Sequence, residues 1–459
     1  MKKSVWLVTA LSLSTVPGAA HAQQEASPWS LARLVKAPPE LTISGSVRLR
    51  YETIDGQPRA GFNASDQLLN LRTILFAEYH TGPVRLGVQL GDSRTWSGNA
   101  GSPLTTGEVN SFEPVQAYVA VDIAHPFGAG TALKLQAGRL LLDLGSRRLI
   151  ANDDYRNTTN GFTGLRGDVT ARGVKATLIY VLPQLRLPDD KPSLLANHGA
   201  LDRESFDAVL WGGLVTKARA LGDTAAELSF YHFGERDGPG RPTRDRSLDS
   251  IGARLFRQPA TGRWDHEVEG IYQTGRISVG LAPGAPTLPV RAWFARARLG
   301  YTFAQGWEPR VAVEVDAASG DHGGAHYGRF DPLFGMRRAD FAPAGFYNAI
   351  GRSNIVSPGM RVEVTPGKRT DAFIGYRAMW LQSATDAFST TGVRDPAGRS
   401  GDFGGHQFDA RLRYWVVPKA LRFEADGVAL LKGNQLRRAP NAPANGNSFY
   451  SSLNLTAMF

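Results

Sequence analysis

The segment Leu41–Glu52, LTISGSVRLRYE, puts Leu41, Ile43, Val47, Leu49 and Tyr51 on one side of an extended chain, and Thr42, Ser44, Ser46, Arg48, Arg50 and Glu52 on the other. Successive side chains of a strand point to opposite faces, so the segment reads as a strand with one apolar and one charged face. The pattern recurs along the chain. Leu69, Leu71, Leu75 and Tyr79 oppose Asn70, Arg72 and Glu78, and Val311, Val313 and Val315 oppose Arg310, Glu314 and Asp316. Phe408, Leu412, Tyr414 and Val416 oppose Gln407, Asp409, Arg411 and Arg413. A soluble sandwich also alternates, but its strands usually run to roughly five or six residues. Many segments here reach the roughly 9–11 residues that a tilted strand needs to cross a membrane.

The connections carry a second signal. Short links fall at His80–Pro83, Ala124–Gly130, Asp168–Arg172, Arg219–Thr224, Gln258–Gly262, Ala304–Trp307, Thr365–Lys368 and Val417–Lys419. Between them lie longer Gly- and Pro-rich links such as Ser93–Ser111, Pro183–Ser205, Ala317–Arg352 and Ser383–Gly404. Alternating short and long links predict an all-β, transmembrane, antiparallel up-and-down barrel of about 18 strands, with short periplasmic turns and long extracellular loops. The segment around Phe162–Gly167 is counted among the strands. At the end of the sequence, SFYSSLNLTAMF places Phe449, Leu453, Leu455, Ala457 and Phe459 on one face. That final strand is expected to pair with the first, because an open sheet edge is not tolerated in lipid. Tyr51, Tyr79, Tyr301, Trp380 and Trp415 near strand ends are expected to form interfacial girdles.

The first 22 residues have the three parts of a secretory signal: Lys2 and Lys3, an apolar centre from Val5 to Val16, and Ala20-His21-Ala22 as the cleavage site. Residues 23–40 are then a periplasmic lead, and 41–459 the barrel in the outer membrane of a Gram-negative bacterium. The 459 residues include 51 Gly and 27 Pro but no Cys, which excludes disulfides, thiolate metal sites and cysteine nucleophiles. Lys and Arg outnumber Asp and Glu by 52 to 42. An exported basic protein points to anionic lipid, lipopolysaccharide or an anionic solute as partner, and away from nucleic acid.

A wide barrel must be lined or filled, and inward charges tune what passes. The alternation turns Arg48, Arg50, Arg72, Arg85, Arg296, Arg298, Arg361, Arg377, Arg411 and Arg413 inward, with Glu52, Glu78, Asp122, Glu314, Asp316 and Asp409. Three pairs, Arg48 with Arg50, Arg296 with Arg298 and Arg411 with Arg413, stack along single strands. Guanidinium forks bind carboxylates bidentately, so such a ladder suits a polymer of uronic acids. The alternative for each arginine is a structural pairing with an inward carboxylate.

The stretches GRLLLDLGSRRLIAND (Gly138–Asp153), NGFTGLR (Asn160–Arg166), HYGRFDPLFG (His326–Gly335) and YNAIGRSNIVSPGMRVEVTP (Tyr347–Pro366) resemble the bacterial alginate export family. The resemblance implies an eighteen-stranded outer-membrane channel for an anionic polysaccharide, a constriction ringed by arginines with a few acids, and flexible loops at both ends. Periplasmic secretion components are a further expected partner. Arg72, Arg352, Arg361, Arg411 and Arg413 match positions of that ring best, and Arg50 and Arg139 match it less closely. The alternative is an anion-selective porin taking up acidic oligosaccharides.

No enzyme is expected. His80, His125 and His232 fall in no pattern joining a nucleophile to an acid, and no phosphate loop or zinc helix motif occurs. No cofactor is called for. Asp321, His322, His326 and Asp331 have oxygen and imidazole donors that could hold a divalent metal, but their Gly-rich setting suits a hydrated loop equally, and no metal site is assigned.

Overall fold

The computed structural model describes residues 27–338, 340–343 and 345–459; the expected signal peptide lies outside them. Eighteen strands follow one another. They are β1 Leu41–Asp55, β2 Ser65–Thr81, β3 Val84–Trp96, β4 Asn110–Ala124, β5 Thr131–Leu141 and β6 Gly161–Ala171. Next come β7 Val174–Pro183, β8 Ala208–Leu221, β9 Thr224–Glu235, β10 Ser247–Arg257, β11 Arg263–Ser278 and β12 Thr287–Thr302. The last are β13 Arg310–Ala318, β14 Ile355–Gly367, β15 Thr370–Trp380, β16 Phe403–Val417, β17 Leu421–Lys432 and β18 Ser448–Met458. Each pairs antiparallel with its neighbours in sequence, and β18 returns to β1 from Ser46 opposite Met458 to Asp55 opposite Phe449. The sheet is therefore a closed barrel with no free edge. The segment around Phe162–Gly167 is strand β6, and every short link expected from the sequence joins two strands.

The side chains sort inside out. Val311, Val313 and Val315 on β13 are 39, 55 and 38% exposed, whereas Asp316 on the opposite face is 0% exposed. Apolar side chains left outside and charges taken inside fit hydrocarbon around the barrel and a polar interior. No helix among the described residues is long and apolar enough to cross a membrane. Tyr51, Tyr79 and Tyr414 are exposed on the outer face as girdle residues would be, Tyr51 toward the long-loop end and Tyr79 and Tyr414 toward the short-turn end, where Trp264 and Trp307 are also exposed. Trp415 departs from the girdle expectation. It shares its face with Arg411 and Arg413, and the Arg422 guanidinium lies 5.7 Å from its ring centroid, so it faces the interior.

Closure is reinforced by the terminal residue. Phe459 N donates to Gly45 O (3.0 Å), and Gly45 N donates to Phe459 O (2.8 Å). The Phe459 ring lies where any side chain at position 45 would stand, which explains the glycine in an otherwise apolar outward row. Ahead of β1, a one-turn helix α1, Leu31–Leu34, is capped by Ser30, and the Ser27 hydroxyl donates to Met458 O (3.0 Å). Deleting Phe459 uncovers Gly45 and removes both backbone bonds at the seam. Deletion is expected to cut the amount of heat-modifiable, membrane-inserted barrel severalfold, read on gels of outer-membrane fractions; normal insertion would contradict this role for the seam.

The interior is not an empty tube. The β5–β6 connection (142–160) and the β13–β14 connection (319–354) turn inward and carry much of the buried apolar cluster: Leu142, Leu144, Leu149, Ile150, Phe330, Phe341, Phe346, Tyr347 and Ile350. Phe334 packs edge-on against Phe162 of β6 and Phe233 of β9, at 5.4 and 5.5 Å between centroids. A hydrophobic core thus sits within a polar-walled barrel, built from loops.

Candidate constriction and its arginines

The two inward loops are zipped to each other. Phe334 N donates to Leu149 O (2.9 Å), Ala151 N to Phe334 O (3.1 Å) and Met336 N to Arg147 O (3.0 Å). Leu149 belongs to the GRLLLDLGSRRLIAND stretch and Phe334 to HYGRFDPLFG, so two motifs far apart in sequence form one structure inside the barrel. Tyr155 anchors this plug to the wall: its hydroxyl lies 3.0 Å from that of Tyr450, and its ring lies 3.9 Å from both the Arg50 and Arg338 guanidiniums. On the other side, Arg338 binds Glu424 (2.6 Å) and Asp426 (2.9 Å) of β17.

The arginines named from the sequence fall into distinct groups. Arg48 and Arg72 stand directly opposite each other on β1 and β2. Like charges so placed repel unless both find acceptors. Here both donate to the plug backbone: Arg48 to Asp154 O (3.0 Å) and Arg156 O (2.7 Å), and Arg72 to Asp154 O (2.8 Å). Arg50 donates to Tyr155 O (2.6 Å) and meets Glu52 at 3.4 Å. Loop carbonyls, which no strand periodicity reveals, are thus the partners of the first stacked pair.

A second group is enclosed. Arg296 is held by Asp316 (2.6 Å), Glu314 (2.7 Å) and Glu267 (3.4 Å), with its side chain 1% exposed. Arg377 shares Glu314 at 2.8 Å. Arg352 lies in the loop just before β14, donating to Met336 O and to Asp340. For Arg296 and Arg377 the structural pairing with inward carboxylates, weighed as the alternative above, is what the structure contains. Arg139 binds Glu113, Glu204 (3.1 Å) and Asp202 O (2.9 Å), tying β5 to the β7–β8 connection.

The third group lies toward the short-turn end, on the strands that lead from the plug to that mouth. Side-chain exposures of Arg298, Arg361, Arg411 and Arg413 are 25, 17, 18 and 15%, against 1–4% for the enclosed group of Arg296, Arg352 and Arg377. Their ion pairs are few and shared. Arg298 has Glu267 at 3.8 Å, and Arg361 has Glu363 at 2.9 Å. Arg411 and Arg413 divide one carboxylate, Asp371, at 3.2 and 2.8 Å. The partner of the 411/413 fork is therefore Asp371 of β15, and neither Glu314, Asp316 nor Asp409. Phe373 stands between Arg361 (3.5 Å) and Arg411 (4.9 Å), holding the two guanidiniums apart against its ring. On the β1–β4 wall, a cavity of about 350 Å³ is lined by Ser44, Ser46, Ile74, Phe76, Gln89 and Gln116.

Several participants escaped sequence reasoning. Arg422 follows a short turn with too little strand ahead of it to set its face. Phe373 is an apolar residue on a polar face. Arg148, Arg338 and Asp340 lie in loops, where no period exists to place them; the only available signal was that Arg148 falls inside a quoted motif. Asp331 is committed to Arg246 (2.7 Å), and Asp321 accepts from Gly328 N (3.1 Å). No group of three or more metal-ligating side chains gathers among the described residues.

The family model described as alginate export matches residues 40–449. The chain belongs to that family. No curated protein matches it at a significant level. Solved structures share the barrel of this alginate export family member at low identity. The outer-membrane protein OpdK of Pseudomonas aeruginosa is 13% identical, with a TM-score of 0.54 over 91% of this chain and 98% of its own. OccK5 (OpdH) of the same organism is 11% identical, with a TM-score of 0.56 over 92 and 98%. OccK2 (OpdF), solved in complex with glucuronate, is 13% identical, with a TM-score of 0.55 over 91 and 98%. Identities this low carry the fold alone. Family and fold together place the protein in the outer membrane of a Gram-negative cell as a channel.

Proposed function

We propose that this channel exports an anionic polysaccharide such as alginate, with the short turns and the lead 23–40 on the periplasmic side. The polymer enters at the short-turn mouth, and its carboxylates move along Arg298, Arg361, Arg411, Arg413 and Arg422. The observation that carries this reading is the contrast between the two arginine groups. Arg296 and Arg377 are buried and each held by two or more carboxylates, whereas each arginine of the entry group is partly exposed and has one carboxylate, which Arg411 and Arg413 even share in Asp371. A guanidinium with spare donors takes a passing carboxylate, and a shared internal acid keeps binding weak enough for release. Arg48, Arg50 and Arg72 act by holding the plug, Arg296 and Arg352 by forming the constriction, and Arg139 by fixing the β7–β8 connection. Outer-membrane lipid and lipopolysaccharide contact the apolar outer face, and periplasmic secretion components dock at the short-turn end. The reading requires no bond to be made or broken.

Uptake of acidic oligosaccharides is the second reading. It draws on the glucuronate bound by OpdF, a protein of the same barrel architecture. Both readings need the same uronate chemistry and differ in direction. The purified chain in planar bilayers is expected to prefer chloride over potassium and to be blocked by oligouronates, with neutral oligosaccharides of equal length ineffective. Block from the short-turn side at lower concentration favours export, and block from the long-loop side favours uptake. Equal block by neutral and acidic sugars would refute the proposal.

A further inference from the structure

One of the closely held carboxylates of the interior belongs to a loop. Asp340, in the β13–β14 connection, receives a two-pronged bond from Arg148, Nε to Oδ2 at 2.7 Å and Nη2 to Oδ1 at 2.9 Å. Arg352 donates to Oδ2, and Arg296 Nη2 lies 3.5 Å from Oδ1. Two of the three guanidiniums come from other elements, the β5–β6 connection and strand β12, and the third, Arg352, comes from the end of the β13–β14 connection itself. A planar carboxylate gripped by paired forks is also how a uronate group would be bound.

We propose that this enclosure is a carboxylate-binding site of the conduit, filled by Asp340 as a tethered stand-in for the polymer's uronate group, and that exchange of one for the other frees the β13–β14 loop. This inference rests on the transport reading above.

Two observations support exchange. First, most of the enclosure is held without Asp340: Arg296 is fixed by Asp316 and Glu314, and Arg148 by Glu267 at 2.9 Å and by Glu269. Only Arg352 depends on the loop itself for both its acceptors. Second, the linked ion pairs balance only when Asp340 is present. Arg148, Arg296, Arg352 and Arg377 connect through Glu267 to Arg254 and Arg298, making six cations among the described residues. Five acids remain when Asp340 is left out, namely Glu227, Glu267, Glu269, Glu314 and Asp316. Withdrawing Asp340 leaves one buried positive charge uncompensated, an unfavourable state until another anion arrives. Burial pushes the Asp340 carboxyl up, but Arg148, then Arg296 and Arg352, outweigh it and hold the group well below the ordinary carboxylate range. A ligand shifts such an equilibrium only by its preference for the open state, and a site that the loop vacates supplies that preference.

The test uses the full chain in planar bilayers, with glucuronate, acetate and glucose as probes. In the wild type, glucuronate is expected to increase the time spent in a high-conductance state, acetate to do so more weakly, and glucose not at all. Asp340→Asn keeps the shape but weakens the grip, and the high-conductance fraction without sugar should rise by about tenfold, with the glucuronate response lost. The chain has no native Cys, so Ile150→Cys with Phe334→Cys, which stand opposite each other where the loops pair, can lock them. Oxidation in the Asp340→Asn background should return the channel to low conductance, and reduction should release it. A folded Asp340→Asn barrel with wild-type conductance and wild-type glucuronate response overturns the inference. If that variant does not fold, Asp340→Glu is the deciding arm: a changed glucuronate concentration dependence supports exchange, and an unchanged one overturns it. Oligouronate block that persists while Asp340→Asn has no effect removes this inference alone. A wild-type channel indifferent to all uronates removes the transport reading beneath it.

Discussion

Replacing Arg411 and Arg413 together with glutamate is expected to reverse the channel from anion to cation preference and to abolish block by acidic sugars. The double substitution changes the charge of one short segment of lumen by four units. A charge held beside a low-dielectric wall acts more strongly than one on an open surface, because water and salt screen it incompletely. The barrel itself should tolerate the change. Asp371, which the two arginines share, has a side chain 33% exposed, so the lost ion pairs belong to the weak, solvent-reached class of about 0–1 kcal/mol each. Inner-face positions tune selectivity rather than fold, since the wall is held by strand pairing and the outer apolar face. Glutamine at both positions should fall between wild type and the glutamate pair. Reversal potentials in a salt gradient, with heat-modifiable migration as the check on folding, read the outcome. Unchanged selectivity in a stable barrel would remove these two residues from the transport path.

Much of the wall was legible from residue alternation, and the plug was not, for a physical reason. A strand with lipid on one side and polar interior on the other imposes a period of two, so LTISGSVRLRYE and RVAVEVDAA reveal both their conformation and their inward set. Trp415 shows the limit of the aromatic signal: its place near a strand end suggests a girdle, whereas the parity it shares with Arg411 and Arg413 turns it inward. A loop has no such period. Whether Arg48 and Arg50 face water, a carboxylate or a carbonyl depends on where residues 154–156 arrive, about a hundred positions later in the chain. The division of the arginines into saturated and available groups follows from the same cause. Arg296 and Arg298 look equivalent as a stacked pair, yet β13 puts both Glu314 and Asp316 within reach of Arg296, and Arg298 keeps only a long contact to Glu267. The quoted motifs were informative in a different way. They marked the loop segments that meet inside the barrel without showing that they meet.

The enclosed group should respond to substitution quite differently, and Arg296→Met is the variant that shows it. Methionine fits much of the space of the arginine stem but supplies no charge, so Asp316, Glu314, Glu267 and Asp340 all lose a cation they now contact within 2.6–3.5 Å. Asp316 is wholly buried, and its other cation, Arg377, is 3.7 Å away. Removing one partner from a buried ion pair typically costs about 3–5 kcal/mol, because the remaining charge is left without water or counter-ion. That cost falls first on the plug. The β13–β14 loop enters the enclosure through Asp340, whereas the strands on either side keep their full ladder of backbone bonds. Arg296→Met is therefore expected to expose the 319–354 loop to added protease at temperatures where the wild type resists, with heat-modifiable migration of the barrel shifting much less. Replacing both partners, as in Arg296→Met with Asp316→Leu, should recover part of the loss, since exchanging a whole buried pair for apolar groups is often near neutral. In that double variant Glu314 still has Arg377 at 2.8 Å, Glu267 has Arg148 and Arg254, and Asp340 has Arg148 and Arg352. A single variant as protease-resistant as the wild type would show that packing of Phe330, Phe341 and Tyr347 holds the loop by itself, and that the ion pairs around Asp340 contribute little to keeping it in place.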